Sequence, residues 1–325
     1  MRRIFSSVLF VFAALFLNAC EESEKSETTS SITKDEEKTA SSNSDIQIAL
    51  VMKTLTNPFF IAMEKGARKA EKELGITLLV KTAAQETSTA QQVSIVERLV
   101  REGNVQAIVI APSDSVKLIP SLKKAQDKGI YVINIDNSLD LAFSKKAGLE
   151  KVPFISIDNE QSAYLSAKYI ANSVKIPTEV GILEGIREAE NANQRKRGAM
   201  KAFGENPNLK IVASETAHWK IDEGYEVAKE MFRKYPDINL LFCANDMMAL
   251  GAIEYLKETG RKDVLVAAFD AIDDARLALK EGWLKVTIDQ QPGKQGYLGV
   301  VLALDLIRGK DVADVTMLEG LVISE

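Results

Sequence analysis

One alternation, run through twice, limits what this chain can fold into. Short runs rich in Val, Ile and Leu recur from residue 46 onward, separated by stretches of helical period. The first series is IQIALVM (46–52), ITLLVK (76–81), QAIVIA (106–111), IYVINI (130–135) and PFISI (153–157). The second is EVGILE (179–184), LKIVASE (209–215), NLLFCA (239–244), DVLVAA (263–268) and KVTID (285–289). Pro58–Leu74, Thr87–Glu102 and Asp222–Tyr235 are among the helical stretches between them. An unbroken aliphatic run, rather than apolar–polar alternation, marks a strand buried on both faces, as in a parallel sheet covered by helices. Strand and helix in regular turn build βαβ units and a doubly wound sheet. Two series in 325 residues therefore predict an α/β chain of two doubly wound parallel-sheet lobes, with no strict repeat relating them.

Residues 1–44 read differently. Arg2 and Arg3 precede an apolar stretch, Ile4–Leu17, that is too short for a comfortable membrane span. LNAC follows, ending at Cys20. A small residue before a cysteine at this point resembles a bacterial lipoprotein cleavage site. That resemblance implies a signal peptide over 1–19 and a lipid on the Cys20 thiol, an anchor that does not span. Glu21–Ser44 is built mainly from Ser, Thr, Glu, Lys and Asp, with Ile32 its only large apolar residue. Such a segment buries too little to fold, so 20–44 reads as a disordered tether and the folded part begins near Asp45. Cys243 is the only other cysteine, which excludes a disulfide framework and a cysteine zinc site. A net charge of −5 argues against nucleic acid, which wants a basic face.

Open parallel sheets bind ligands beyond the carboxyl ends of their strands. Those positions are polar and aromatic here. KTLTNPFF (53–60) follows the first strand, Asp136-Asn137 the fourth and Asp158-Asn159 the fifth. In the second series the followers are Asn245-Asp246, Asp270 and Gln290-Gln291. Asp and Asn also cap the helices that come next, which explains any one of them. Their recurrence in both series favours a shared crevice. Catalysis finds little support: His218 is the only histidine, and no nucleophile elbow, phosphate loop or metal motif follows a strand. Paired carboxylates could hydrolyse glycosides, but Asp136 and Asp270 come from different lobes and the sequence does not set their separation. A neutral, hydroxyl-rich solute suits the set better. Each hydroxyl donates once and accepts twice, so a water-excluding site needs acceptors, cationic donors and amides together. Lys53, Asn57, Phe60, Asp136, Asn159, Asn245, Asp270 and Gln290 supply them, and Arg195 and Trp219 lie in loop-like stretches able to join.

At these residues the chain resembles the periplasmic sugar-binding proteins of pentose and hexose ABC transporters, the ribose-binding type. The strings that carry it are NPFF (57–60), Asp136, IDN (157–159), RKRG (195–198), CANDMMALG (243–251), AFDAIDD (268–274) and TIDQQP (287–292). They cover nearly all of the chain beyond residue 46. Lys53, KGIYVINID (128–136), KKAG (145–148) and Trp219-Lys220-Ile221 lean toward the allose-binding branch. Asn137 departs from the family, where a charged residue follows the aspartate. The resemblance implies a type I periplasmic-binding fold and no enzyme activity or cofactor. It implies that Phe59, Phe60 and Trp219 sandwich a monosaccharide ring, a hexose of the allose kind. Lys53, Asn57, Asp136, Asn159, Arg195, Asn245, Asp270 and Gln290 would bond its hydroxyls. It further implies lobes of 45–157 plus 291–316 and 158–290 plus 317–325, crossing near 157–158, 290–291 and 316–319 and closing like a hinged trap. The partner would be an ABC permease and the protein a monomer, in the periplasm or at the cell surface.

Some of these residues have competing explanations. The apolar stripe of the first helix runs through Phe59, Met63, Ala67, Ala70 and Leu74, so Phe59 serves a core as well as a cleft. Phe60 lies about 100° further round and suits the cleft better. Arg197 competes with Arg195, and Glu188–Glu190 reads as a solvated run. A sugar-sensing repressor would need a helix-turn-helix where 1–44 stands. A sensing partner of a membrane receptor, or a binder of another polyol or an acidic sugar drawn by Lys53, is compatible with the same residues.

Overall fold

In a computed structural model, residues 43–324 are described. The segments read as a signal peptide and, up to residue 42, as a tether lie outside them, as does Cys20. Among the described residues no helix is long and apolar enough to cross a membrane.

The first series forms β1 (Gln47–Met52), β2 (Thr77–Thr82), β3 (Ala107–Ile110), β4 (Tyr131–Ile135) and β5 (Phe154–Ile157). Between them run α1 (Pro58–Leu74), α2 (Thr89–Glu102), α3 (Ile119–Asp127) and α4 (Leu141–Ala147). The second forms β6 (Thr178–Glu184), β7 (Leu209–Thr216), β8 (Ile238–Cys243), β9 (Leu265–Ala267) and β10 (Val286–Asp289). Its helices are α5 (Asn159–Ala171), α6 (Glu190–Gly204), α7 (Ile221–Lys234), α8 (Asp246–Glu258) and α9 (Asp273–Lys280). After α10 (Pro292–Ile307) come two short strands that aliphatic runs do not announce, β11 (Val315–Leu318) and β12 (Leu321–Ser324).

The strands assemble into two six-stranded sheets, β2-β1-β3-β4-β5-β11 and β7-β6-β8-β9-β10-β12. Every pairing is parallel except that of β12 with β10. The aliphatic runs are buried on both faces as their composition requires: Ile48, Leu50 and Met52 pack into one apolar cluster, Ala49 and Val51 into another. The chain passes between the sheets three times, at Asp158, at Gln290–Gln291 and at Glu319–Gly320. The last passage corrects the boundary drawn at 316. Met317 and Leu318 pair with Ser156 and Ile157, so backbone hydrogen bonding keeps them on the first sheet.

The helix starts also follow local chemistry. Asn57 caps α1, its side chain accepting from Phe59 N–H at 3.0 Å, with Pro58 as first helical residue. Asp158 caps α5 through Gln161 N–H, and Asn245 caps α8 through Met248 N–H. Helix α6 is pressed against α5 at Gly198, where a Cβ would stand 2.1 Å from the Glu160 carbonyl oxygen. That close approach sets the position of Arg195, one turn earlier on the same helix.

Candidate functional site

A cleft lies between the carboxyl ends of the two sheets. The first sheet sends Lys53 from the end of β1, Asn57, Phe59 and Phe60 from the start of α1, and Asp136 from the end of β4. The second sends Arg195 from α6, Trp219 from the loop after β7, Asn245 and Asp270 from the ends of β8 and β9, and Gln290 from the hinge. Ten of the eleven residues singled out in the sequence thus meet on one wall.

The exception is Asn159. It stands behind the wall, its Oδ1 accepting from Arg195 Nε at 2.9 Å and its amide directed to the Ile157 carbonyl. It orients Arg195 rather than facing the cavity. Two wall residues, Glu86 and Asn191, were missed by sequence reasoning. Glu86 follows β2 and is a strand-end residue of the kind already sought. Asn191 sits inside the first turn of α6, where only its neighbour Arg195 drew notice.

Each lobe contributes one aspartate and one cation. Lys53 Nζ lies 2.8 Å from Asp136 Oδ2, both side chains almost fully buried, and 5.5 Å from the centre of the Phe60 ring. Arg195 Nη1 lies 3.5 Å from Asp270 Oδ1 and donates to the Ala244 carbonyl at 2.8 Å. Its guanidinium stacks 3.9 Å from the Phe269 ring and 5.4 Å from the Trp219 ring. Gln290 Nε2 donates to Asp270 Oδ1 at 2.5 Å, and Asn57 Nδ2 donates to Glu86 Oε1 at 3.0 Å. Arg197, the competitor of Arg195, is half-exposed and pairs with Glu160 and Glu190.

Backbone conformation aims the aspartates. Asp136 has φ 65° and Asp270 φ 123°, values that non-glycine residues hold only where the surroundings impose them. Ser156 Oγ donates to the Asp136 carbonyl at 2.8 Å and fixes the first turn. Asp246 fixes the second: it accepts from Ile272 N–H at 2.9 Å and from Thr287 Oγ at 2.8 Å. Burial pushes the Asp246 carboxyl up to about 7 against these bonds. Burial also raises Asp270 well above the usual carboxylate range, opposed by Arg195, and raises Glu86, opposed by Lys53.

Aromatic rings close the rest of the wall. Phe59 and Phe60 meet edge to face with centres 5.0 Å apart. Both are buried and both line the cavity, so Phe59 serves core and cleft together. Trp219 reaches in because Gly185 has no Cβ, which would stand 2.0 Å from the indole ring. Four buried polar atoms on wall residues lack a hydrogen-bond partner: Asp136 Oδ2, Asn191 Oδ1, Trp219 Nε1 and Gln290 Oε1. Only two other such atoms occur among the described residues, so unmet polar capacity concentrates at this wall. The contact of Asp136 Oδ2 with Lys53 is an ion pair without hydrogen-bond geometry.

The sequence matches the model of the family described as "Periplasmic binding protein domain" over residues 48–311. It is 42% identical over 272 residues to the D-ribose/D-allose-binding protein of Pseudomonas aeruginosa, covering 81% of this chain and 83% of that one. It is 33% identical to the D-allose-binding periplasmic protein of Escherichia coli, over 80% and 84% of the two chains. A crystal structure of a periplasmic solute-binding protein from Actinobacillus succinogenes with bound D-allose superposes with a TM-score of 0.81 at 39% identity, covering 86% and 97%. The chain belongs to the periplasmic binding protein family, alongside the ribose- and allose-binding proteins.

Proposed function

We propose that the chain captures a monosaccharide, a hexose of the allose type, between its two lobes and delivers it to an ABC permease. In this reading Cys20 carries a lipid that holds the protein at a membrane outside the cytoplasm, and the protein acts as a monomer. The observation that carries it is the wall: buried carboxylates, cations and amides from both lobes beside three aromatic rings. Ring hydroxyls would use the unmet acceptors and the indole N–H, and the apolar faces of the sugar would lie against Phe59, Phe60 and Trp219.

The charge balance favours a neutral sugar over an acidic one. Lys53 is drawn to Asp136 and Arg195 to Asp270, with Glu86 as a third acid. An anionic ligand would meet no unpaired cation on this wall. Calorimetric titration against aldoses, ketoses, polyols and a uronic acid tests the reading. Heat with D-allose or a close epimer and none with the uronic acid is expected. No heat with any sugar, beside tight binding of an amino acid or a nucleobase, would refute it.

A further inference from the structure

Asn137, the neighbour of Asp136, takes no part in lining the cavity. It is fully buried, and its amide is completely used. Nδ2 donates to the Pro112 carbonyl at 3.1 Å and to Ser115 Oγ at 3.3 Å, both within its own lobe. Oδ1 accepts from Asn191 N–H at 3.1 Å, across the cleft. Ser115 crosses as well. Its Oγ accepts from Glu190 N–H at 3.0 Å, and its backbone N–H donates to the Glu188 carbonyl at 3.0 Å. The backbone of residues 188–190 is therefore held by the opposite lobe, while Glu188 stays exposed as its charge suggests.

The helix that receives these bonds lacks a cap of its own. The first turn of a helix has unpaired N–H groups that a Ser, Thr, Asn or Asp side chain ordinarily satisfies. The N-cap of α6 is Ala189, which offers no side-chain oxygen. Its first two helical N–H groups, those of Glu190 and Asn191, go to Ser115 and Asn137 instead. Other helices that supply wall residues, α1 and α8, are capped from within their own lobes by Asn57 and Asn245. Any parting of the lobes uncaps α6, and α6 also carries Arg195.

We propose that Ser115 and Asn137 form an interlobe latch that caps α6 in trans and so stabilises the closed conformation independently of ligand. All its groups are neutral, so its contribution is insensitive to salt. Its consequences are a measurable closed fraction without sugar and slow release once sugar is held. Arg195 would also be better ordered closed than open, because the start of its helix is secured only then.

Small-angle X-ray scattering of the ligand-free protein reads the closed fraction, and stopped-flow release of D-allose reads the rate. Ser115→Ala and Asn137→Ala should each shift the ligand-free ensemble toward the wider, open form. Each should speed release about fivefold, the ratio a typical N-cap contributes. Ala189→Ser gives α6 a cap in both conformations. It should therefore also favour the open form while holding or raising the thermal midpoint, which a folding defect would not do. A wild-type protein wholly open without sugar, or scattering unchanged in Ser115→Ala and Asn137→Ala, overturns the latch. The scattering needs no sugar, so a wrong ligand assignment would show only in the release experiment.

Discussion

The two lobes share a strand order, though β12 runs antiparallel where β11 runs parallel, and they have different walls. Strand for strand, β2-β1-β3-β4-β5-β11 corresponds to β7-β6-β8-β9-β10-β12, and each lobe ends its fourth strand in an aspartate of positive φ. Beyond that the sites diverge. The residue after β1 is Lys53, whose ammonium finds one close carboxylate, Asp136, and one ring face. The residue after β6 is Gly185, which leaves room for Trp219. The cation of the second lobe instead comes from inside α6 and is held by Asp270, Asn159, the Ala244 carbonyl and two aromatic rings. A common scaffold thus presents one lightly held charge and one heavily braced charge to the same cavity.

This asymmetry ranks the expected effects. Asp136→Ala strips Lys53 of its only close carboxylate, so D-allose affinity should fall by on the order of 3–5 kcal/mol, the cost of breaking a buried pair. Asp270→Ala leaves Arg195 its Asn159 and Ala244 partners, and the loss should be smaller, about 1.5–3 kcal/mol. Calorimetry of both variants would break the comparison if the order reversed. Next comes Gly185→Ala, which forces the indole off the wall. Affinity should drop by about 1–3 kcal/mol with a change in tryptophan emission, and an unaltered emission would show that the ring has room. Asn245→Ala should lower stability by about 1 kcal/mol through the lost cap. Asn57→Ala should cost more, because it also removes the amide donated to Glu86.

The smallest effects expected are on the response to pH, where the second lobe carries two raised carboxyls, Asp246 and Asp270, to the first lobe's Glu86. Glu86 in the first and Asp246 in the second are both buried carboxyls held above their ordinary range. The folded state then binds a proton that the unfolded chain releases. The contribution of Asp246 is full below its unfolded value of 3.8 and is lost as pH rises to about 7. The thermal midpoint of Asp246→Asn should decline less over that window than the wild-type midpoint; parallel curves would contradict the assignment.

Much of this architecture was legible because buried parallel strands leave unbroken aliphatic runs, and all ten appear as strands. β11 and β12 were not, because VTML and LVIS are half-exposed strands at the sheet edges with no buried run to mark them. The site was legible for a related reason: strand ends in such sheets converge, so Lys53, Asp136, Asn245, Asp270 and Gln290 had to lie near one another. Depth was not legible. Asn159 occupies the same kind of strand-end position as the wall residues, yet its side chain turns back to hold Arg195. Asn137 is marked in sequence only as the neighbour of Asp136, and only the fold reveals that its partner is the backbone of the other lobe.

The central claim is that both lobes grip one sugar, each through its own aspartate and aromatic face. A crystal structure of the protein grown with D-allose tests it most directly. The account predicts a single ring between Phe60 and Trp219, with hydroxyls within hydrogen-bond distance of both Asp136 and Asp270. A sugar bound elsewhere, or in contact with only one of the two aspartates, would contradict it.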